Sequence, residues 1–114
     1  MSTTDPTSIA ALPALDPIHP GEILREEFLV PLGLSAAAVA RALGVPTNRL
    51  TEILRGRRAI TADTSLRLGR YFGVSPGWFL ALQSSHDLAV GARAGVADQV
   101  VPLEPAGPPD LAAR

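Results

Sequence analysis

An all-α fold is the expectation from this sequence: five short helices between Pro-rich ends. Three observations lead there. Apolar residues recur at three- and four-residue spacings, and no segment alternates apolar and polar residues over the length of a strand. Glycine and proline fall mainly between these apolar runs, with Ser or Thr standing where helices would begin. In "LSAAAVARALGVPTNRLTEILRGRR", residues 34–58, only Gly44, Val45 and Pro46 separate two helix-like runs.

Each element has its own local reason. In "HPGEILREEFLVPLG" Pro20 suits a first helical turn and the acids Glu22, Glu26 and Glu27 favour the N-terminal half. Ile23, Leu24 and Phe28 then share a face, and Pro31 with Gly33 is expected to stop this first helix. Ser35 is the expected cap of a second helix over 36–43, with Val39, Ala42 and Leu43 inward and Gly44 supplying a sharp exit. Pro46 opens a third, in which Leu50, Ile53 and Leu54 follow the helical spacing until Gly56. Thr61 caps a fourth, with Asp63 and Thr64 in its first turn, Leu66, Leu68 and Phe72 as expected core, and Gly73 as terminator. Ser75 and Pro76 start a fifth, anchored by Trp78, Phe79 and Leu82, with both aromatics expected in the core. None is long enough to be stable alone, so the fold depends on packing their apolar faces together.

The folded unit is expected over 17–94, with a flexible arm over 1–16 and a disordered Pro-rich tail over 95–114. At 114 residues and 46% hydrophobic, mostly Ala, Leu and Val, the chain holds one modest core. No apolar run approaches the ~18 residues of a membrane span, and the N-terminus lacks a signal peptide's pattern, which points to a cytoplasmic protein without a membrane partner. With no cysteine, and with His19 and His86 far apart, neither thiolate nor zinc chemistry is expected, and no cofactor. Paired carboxylates in a pocket-like context, H-E-x-x-H and a phosphate-binding glycine loop are all missing, so an enzyme is not expected. His86 reads as an ordinary helix-surface or interface residue.

The net charge of −1 conceals a segregation. Residues 16–30 carry four acids against Arg25, a net of −3, whereas residues 41–70 carry seven arginines against Glu52 and Asp63, a net of +5. That basic stretch coincides with the tight corner. Small Ala40 lets the second and third helices approach, Gly44 permits the turn, Val45 fills the angle and Leu50 packs beneath, as a helix-turn-helix requires. A third helix held rigidly and outward fits the major groove of duplex DNA, with side chains near its N-terminus at base edges. The candidates for base reading are Thr47, Asn48, Thr51 and Glu52; Asn pairs with adenine and Glu accepts from cytosine. Arg49, Arg55, Arg57 and Arg58 are the candidates for phosphate binding. One short recognition helix offers little contact area, so a homodimer reading two half-sites about 10 base pairs apart is expected.

The segments "HPGEILREEFLVPLGLS", "VARALGVPTNRLTEILRGRRAITADTSLRLGRYFG" and "SPGWFLALQSSHDL" together resemble the HigA-type antitoxins, a branch of the XRE or phage-repressor-like helix-turn-helix family. The resemblance covers about residues 18–88. It implies a five-helix, lambda-repressor-like domain that binds double-stranded operator DNA as a dimer, represses its own operon and neutralises a toxin protein, usually a RelE-like RNA-cleaving one. The family's base-reading positions fall on Thr47, Asn48 and Glu52 and its phosphate contacts on Arg49, Arg57 and Arg58. Two departures stand out. Ala36 replaces the Gln with which many relatives touch the DNA, so that contact is expected to be lost. Gly69 stands inside the fourth helix where Ala is usual, at a cost of about 1 kcal/mol unless close packing requires it. The alternatives are a free-standing regulator without a toxin and a helical module whose arginine-rich face binds an acidic protein.

Overall fold

A computed structural model of the chain describes residues 16–104, all-helical with no strand among them. Of the expected arm over 1–16, residues 1–15 lie outside the described residues, and of the expected tail over 95–114, residues 105–114 do; the described part of that tail carries a short 3-10 turn. The first helix, α1, runs through three consecutive segments: Pro20–Leu24 is α-helical, Arg25–Leu29 π-helical and Val30–Leu32 α-helical. Then come α2 (Ala36–Leu43), α3 (Thr47–Leu54), α4 (Ala62–Phe72) and α5 (Trp78–Arg93), followed by a 3-10 turn at Ala97–Gln99.

Of the two residues expected to stop α1, Gly33 ends it and Pro31 does not. Inside a regular helix its ring would meet the carbonyl four residues back. Here the preceding turn has widened, the Val30 N–H reaching the Arg25 carbonyl, so the helix passes through Pro31 and ends at Gly33. The wider turn also brings Leu24 and Leu29, five residues apart, into the core together, at 0% and 4% exposure. The start of α1 is capped by His19, whose Nδ1 accepts the Gly21 N–H at 2.9 Å. The caps at Ser35 and Thr61 are as expected, accepting from the N–H groups of Ala38 and Thr64. Gly44 closes α2 in the left-handed region at φ 73°, which a side chain would strain.

Helix α3 lies between α1 and α2, α2 also packs on α4, and α5 covers α4 and α1. Val39, Ala40, Leu43, Leu50, Ile53, Ile60, Leu68 and Phe79 join Leu24 and Leu29 in one core. Three residues expected to face inward are outside it. Leu66 is 58% exposed, because α4 turns Thr64, Ser65, Leu68 and Gly69 inward instead. Trp78, at 38% exposure, sits on the rim, edge-on to Phe28 and Phe79, while Phe79 alone of the pair is buried. Ala42, expected to face inward, is exposed.

Small and polar residues in α4 permit a close approach. A Cβ on Gly69 would come 3.0 Å from the Pro76 Cα and the Ser75 carbonyl oxygen, so the glycine meets a packing demand. Nearby, Ser65 Oγ donates to the Pro76 carbonyl at 2.7 Å and accepts the Leu80 N–H at 3.1 Å, fastening α4 to the start of α5.

A polar cluster ties α5 to the start of α1 and to the loop just before α4. Gln83 Oε1 accepts the buried Ile60 N–H at 2.8 Å, and Gln83 Nε2 donates to Asp87 Oδ1 at 2.9 Å. His86 Nδ1 lies 3.2 Å from the same Asp87 oxygen, and its ring meets His19 edge-on at 5.0 Å. Burial, and then the neighbouring His86, hold the His19 pKa below its ordinary value, with Asp87 opposing. The unfolded chain therefore takes up this proton more readily than the folded one, and stability is lost as pH falls below about 6.5 toward the folded-state pKa. A protonated Nδ1 cannot accept the Gly21 N–H. The thermal midpoint is expected to drop between pH 7 and pH 5, and His19→Asn, a cap that does not titrate, should flatten that part of the profile. An unchanged slope in His19→Asn would assign the acid sensitivity to another group.

Candidate nucleic-acid interface

The helical turn of ~100° per residue divides α3 into two faces. Leu50 and Ile53 are fully buried, which leaves Thr47, Asn48, Thr51, Glu52 and Arg55 along the opposite face. Thr47 and Asn48 are exposed at its N-terminal end, where nothing of the described chain covers them. Thr51 is half-buried, and its Oγ1 donates to the Asn48 carbonyl at 3.2 Å, a local bond that orients the hydroxyl back along the helix. Pro46 precedes the helix with an extended backbone, φ −62° and ψ 143°, and no side chain caps α3. The Arg49 N–H turns back to the Pro46 carbonyl at 3.1 Å, which leaves the N–H groups of Thr47 and Asn48 open to an external acceptor.

The arginines divide into two sets. Arg49 lies on the flank of α3, half-buried, with Nη1 3.2 Å from Asp63 Oδ2. Arg58, beyond the helix, holds Glu52 Oε1 from its Nε at 3.2 Å. Glu52 therefore faces its own arginine, and a base-reading role for Glu52 would require that pair to open. Such exposed pairs contribute little to stability, so the exchange costs little. Arg55 and Arg57 are exposed, and neither forms an ion pair among the described residues. Arg57 is placed by its backbone, its N–H reaching the Glu52 carbonyl at 2.8 Å around Gly56. Between α3 and α4 the surface opens into a cleft of about 530 Å³, in which Asp63 is the single acid among Arg49, Arg58 and Arg67.

All eight sequence-derived candidates thus lie on the exposed face of α3, on its flank, or on the loop that follows. What the sequence reading did not find is how they are held. Asp63 and Arg67 on α4, four residues apart, carried the signal of a helical ion pair. That Arg49 joins them depends on a contact across 14 residues. Ala36, at the start of α2, packs partly against the core.

The helix-turn-helix family model matches residues 24–79. The Dichelobacter nodosus Virulence-associated protein I is 59% identical over 76 residues, covering 67% of this chain and 70% of that protein. Antitoxin HigA-1 of Vibrio cholerae is 35% identical over 72 residues, 63% of this chain and 68% of that one. Among solved structures, the Pseudomonas aeruginosa antitoxin HigA with higBA promoter superposes with a TM-score of 0.71 at 46% identity, covering 76% of this chain and 98% of that one.

Proposed function

The chain belongs to the XRE-type helix-turn-helix family, with HigA antitoxins as structural neighbours, and from that premise we propose that it is an antitoxin that binds operator DNA and represses its own operon. The observation that carries this reading is the exposed N-terminal half of α3, backed by two buried residues and flanked by four arginines. Thr47, Asn48, Thr51 and Glu52 read bases; Arg49, Arg55, Arg57 and Arg58 hold phosphates. Two copies read the two halves of an operator. No helix among the described residues is long and apolar enough to cross a membrane, which is compatible with the cytoplasmic setting this role needs.

The toxin partner is a RelE-like, RNA-cleaving protein. A chain that represses while holding a toxin needs a second surface clear of α3. Glu22, Glu26 and Glu27 are all exposed on α1, and complementary charge steers encounter with a basic partner. The test is co-expression with the adjacent small gene, using the wild-type chain and a form with all three glutamates changed to Gln. Rescue by the wild type and weakened rescue by the triple variant support the assignment. Equal rescue by both places the toxin elsewhere, and a neighbour that is not toxic leaves a free-standing regulator.

For base reading, Asn48→Ala is expected to weaken operator binding by about 1 to 3 kcal/mol and to relax preference at one base pair per half-site. Competition titration against single-position operator variants measures it. Equal weakening on operator and random DNA would remove Asn48 from the reading set.

A further inference from the structure

The turn, the recognition helix and α4 are joined by a chain of charges that the base-reading and phosphate roles leave unexplained. Arg67 on α4 donates from Nη1 to the Leu43 carbonyl at 2.8 Å, one of the last carbonyls of α2, which have no acceptor role left inside that helix. The same nitrogen stands beside the turn, 3.4 Å from where a Cβ on Gly44 would be. Arg67 Nε donates to Asp63 Oδ2 at 3.0 Å. That single oxygen also accepts from Arg49 Nη1 at 3.2 Å. One path therefore runs from the end of α2 through α4 to the first turn of α3.

We infer that Asp63, anchored by Arg67, is a positioning residue that holds the Arg49 guanidinium in one orientation and so fixes the register in which α3 meets the DNA backbone. The inference rests on the DNA-binding reading above. The side chains of Arg49, Asp63 and Arg67 are 32%, 56% and 43% exposed, and pairs so open to water add little to stability. Ordering two arginines also costs side-chain entropy. A carboxylate in this basic cleft repels phosphate and lowers affinity for every DNA alike. Such a cost is compatible with a gain in discrimination, since an arginine held in one place rewards the correct register and penalises others. Asp63 also suits the first turn of α4 through the helix dipole, a purely structural role that makes a different prediction.

The experiment is a double-mutant cycle on the full chain with Arg49→Ala, Asp63→Ala and both together, read as the ratio of operator to random-DNA affinity, with Asp63→Asn as a near-isosteric second variant. Asp63→Ala should raise affinity for random DNA while lowering the ratio about tenfold, and should not lower it further once Arg49 is gone. Thermal midpoints report the structural role separately. Independent, additive losses of the ratio would overturn the proposal. A second arm needs no DNA: nitrogen relaxation of the Arg49 side chain should show a restricted guanidinium in the wild type that is freed in Asp63→Ala and in Arg67→Ala. An equally mobile Arg49 in all three overturns the positioning role, whereas a wild type without operator preference defeats the DNA-binding reading and leaves this arm to decide the rest.

Discussion

Gly21→Ala is expected to destabilise the domain by about 3 kcal/mol, the upper range for forcing atoms into a packed interior. In the first turn of α1 a Cβ at this position would fall on the Ile53 carbonyl and lie 2.7 Å from the carbonyl carbon. Ile53 belongs to the inner face of α3, so the clash is backbone against side chain, with no flexible group to give way. Relief requires α1 to lift away from α3, and with it Leu24 and the His19 cap. Operator binding should fall in parallel, because α1 is one of the two helices that clasp the recognition helix. The control is the same substitution at Gly91, inside α5 with nothing within 4 Å of the added carbon. There the gain in helix propensity should stabilise by about 0.5 to 1 kcal/mol. Urea unfolding of both variants reads the two signs side by side, and a wild-type midpoint for Gly21→Ala would show that α1 does not approach α3 as closely as the structure has it.

The double variant Arg55→Ala with Arg57→Ala is expected to weaken binding to all DNA sequences about a hundredfold at low salt, with the operator-to-random ratio nearly unchanged. These are the two arginines on the α3 face and its exit loop without an ion pair among the described residues, so no internal partner has to be released before they meet a phosphate. The slope of log affinity against log salt should shrink by about 2 per protomer. Arg58→Ala should do less, because Arg58 gives up Glu52 when it binds. A salt slope unaltered in the double variant would remove both residues from the backbone contacts, and loss confined to the operator would make them base readers. If the partner were instead an acidic protein, that binding would be lost in the same variant while specific DNA affinity was never present.

Much of the fold was legible because it is decided within a few residues. Ser35 and Thr61 cap helices by bonding N–H groups three positions on, and Gly44 turns the chain because it lacks a Cβ; neither needs a distant partner. The spacing of Leu50 and Ile53 marks the inner face of α3, and by subtraction the outer one, which is why the eight candidate residues could be named from the sequence. Even the close approach at Gly21 left a trace, a glycine where a helix-forming residue costs less.

Other features required the neighbours to be in place. Periodicity proposes an apolar stripe on α4 but does not say which part meets another helix. Packing against the segment before α5 selected Ser65 and Gly69, leaving Leu66 in solvent. Pro31 reads locally as a stop, yet the chain absorbs it in a wider turn because Leu24 and Leu29 are both buried by that geometry. Gln83 bonds the Ile60 N–H across 23 residues and Arg67 the Leu43 carbonyl across 24. A polar side chain's partner at such a distance depends on where whole helices lie, and that is settled by burying their apolar faces together, not by any property of the residue itself. The sequence alone therefore determined the five helices, the caps at Ser35 and Thr61, the turn and the outward face of α3; the His19 cap and the start of α5 at Trp78 were not among them. Only the tertiary structure decided which arginines stand free, which are held, and by what.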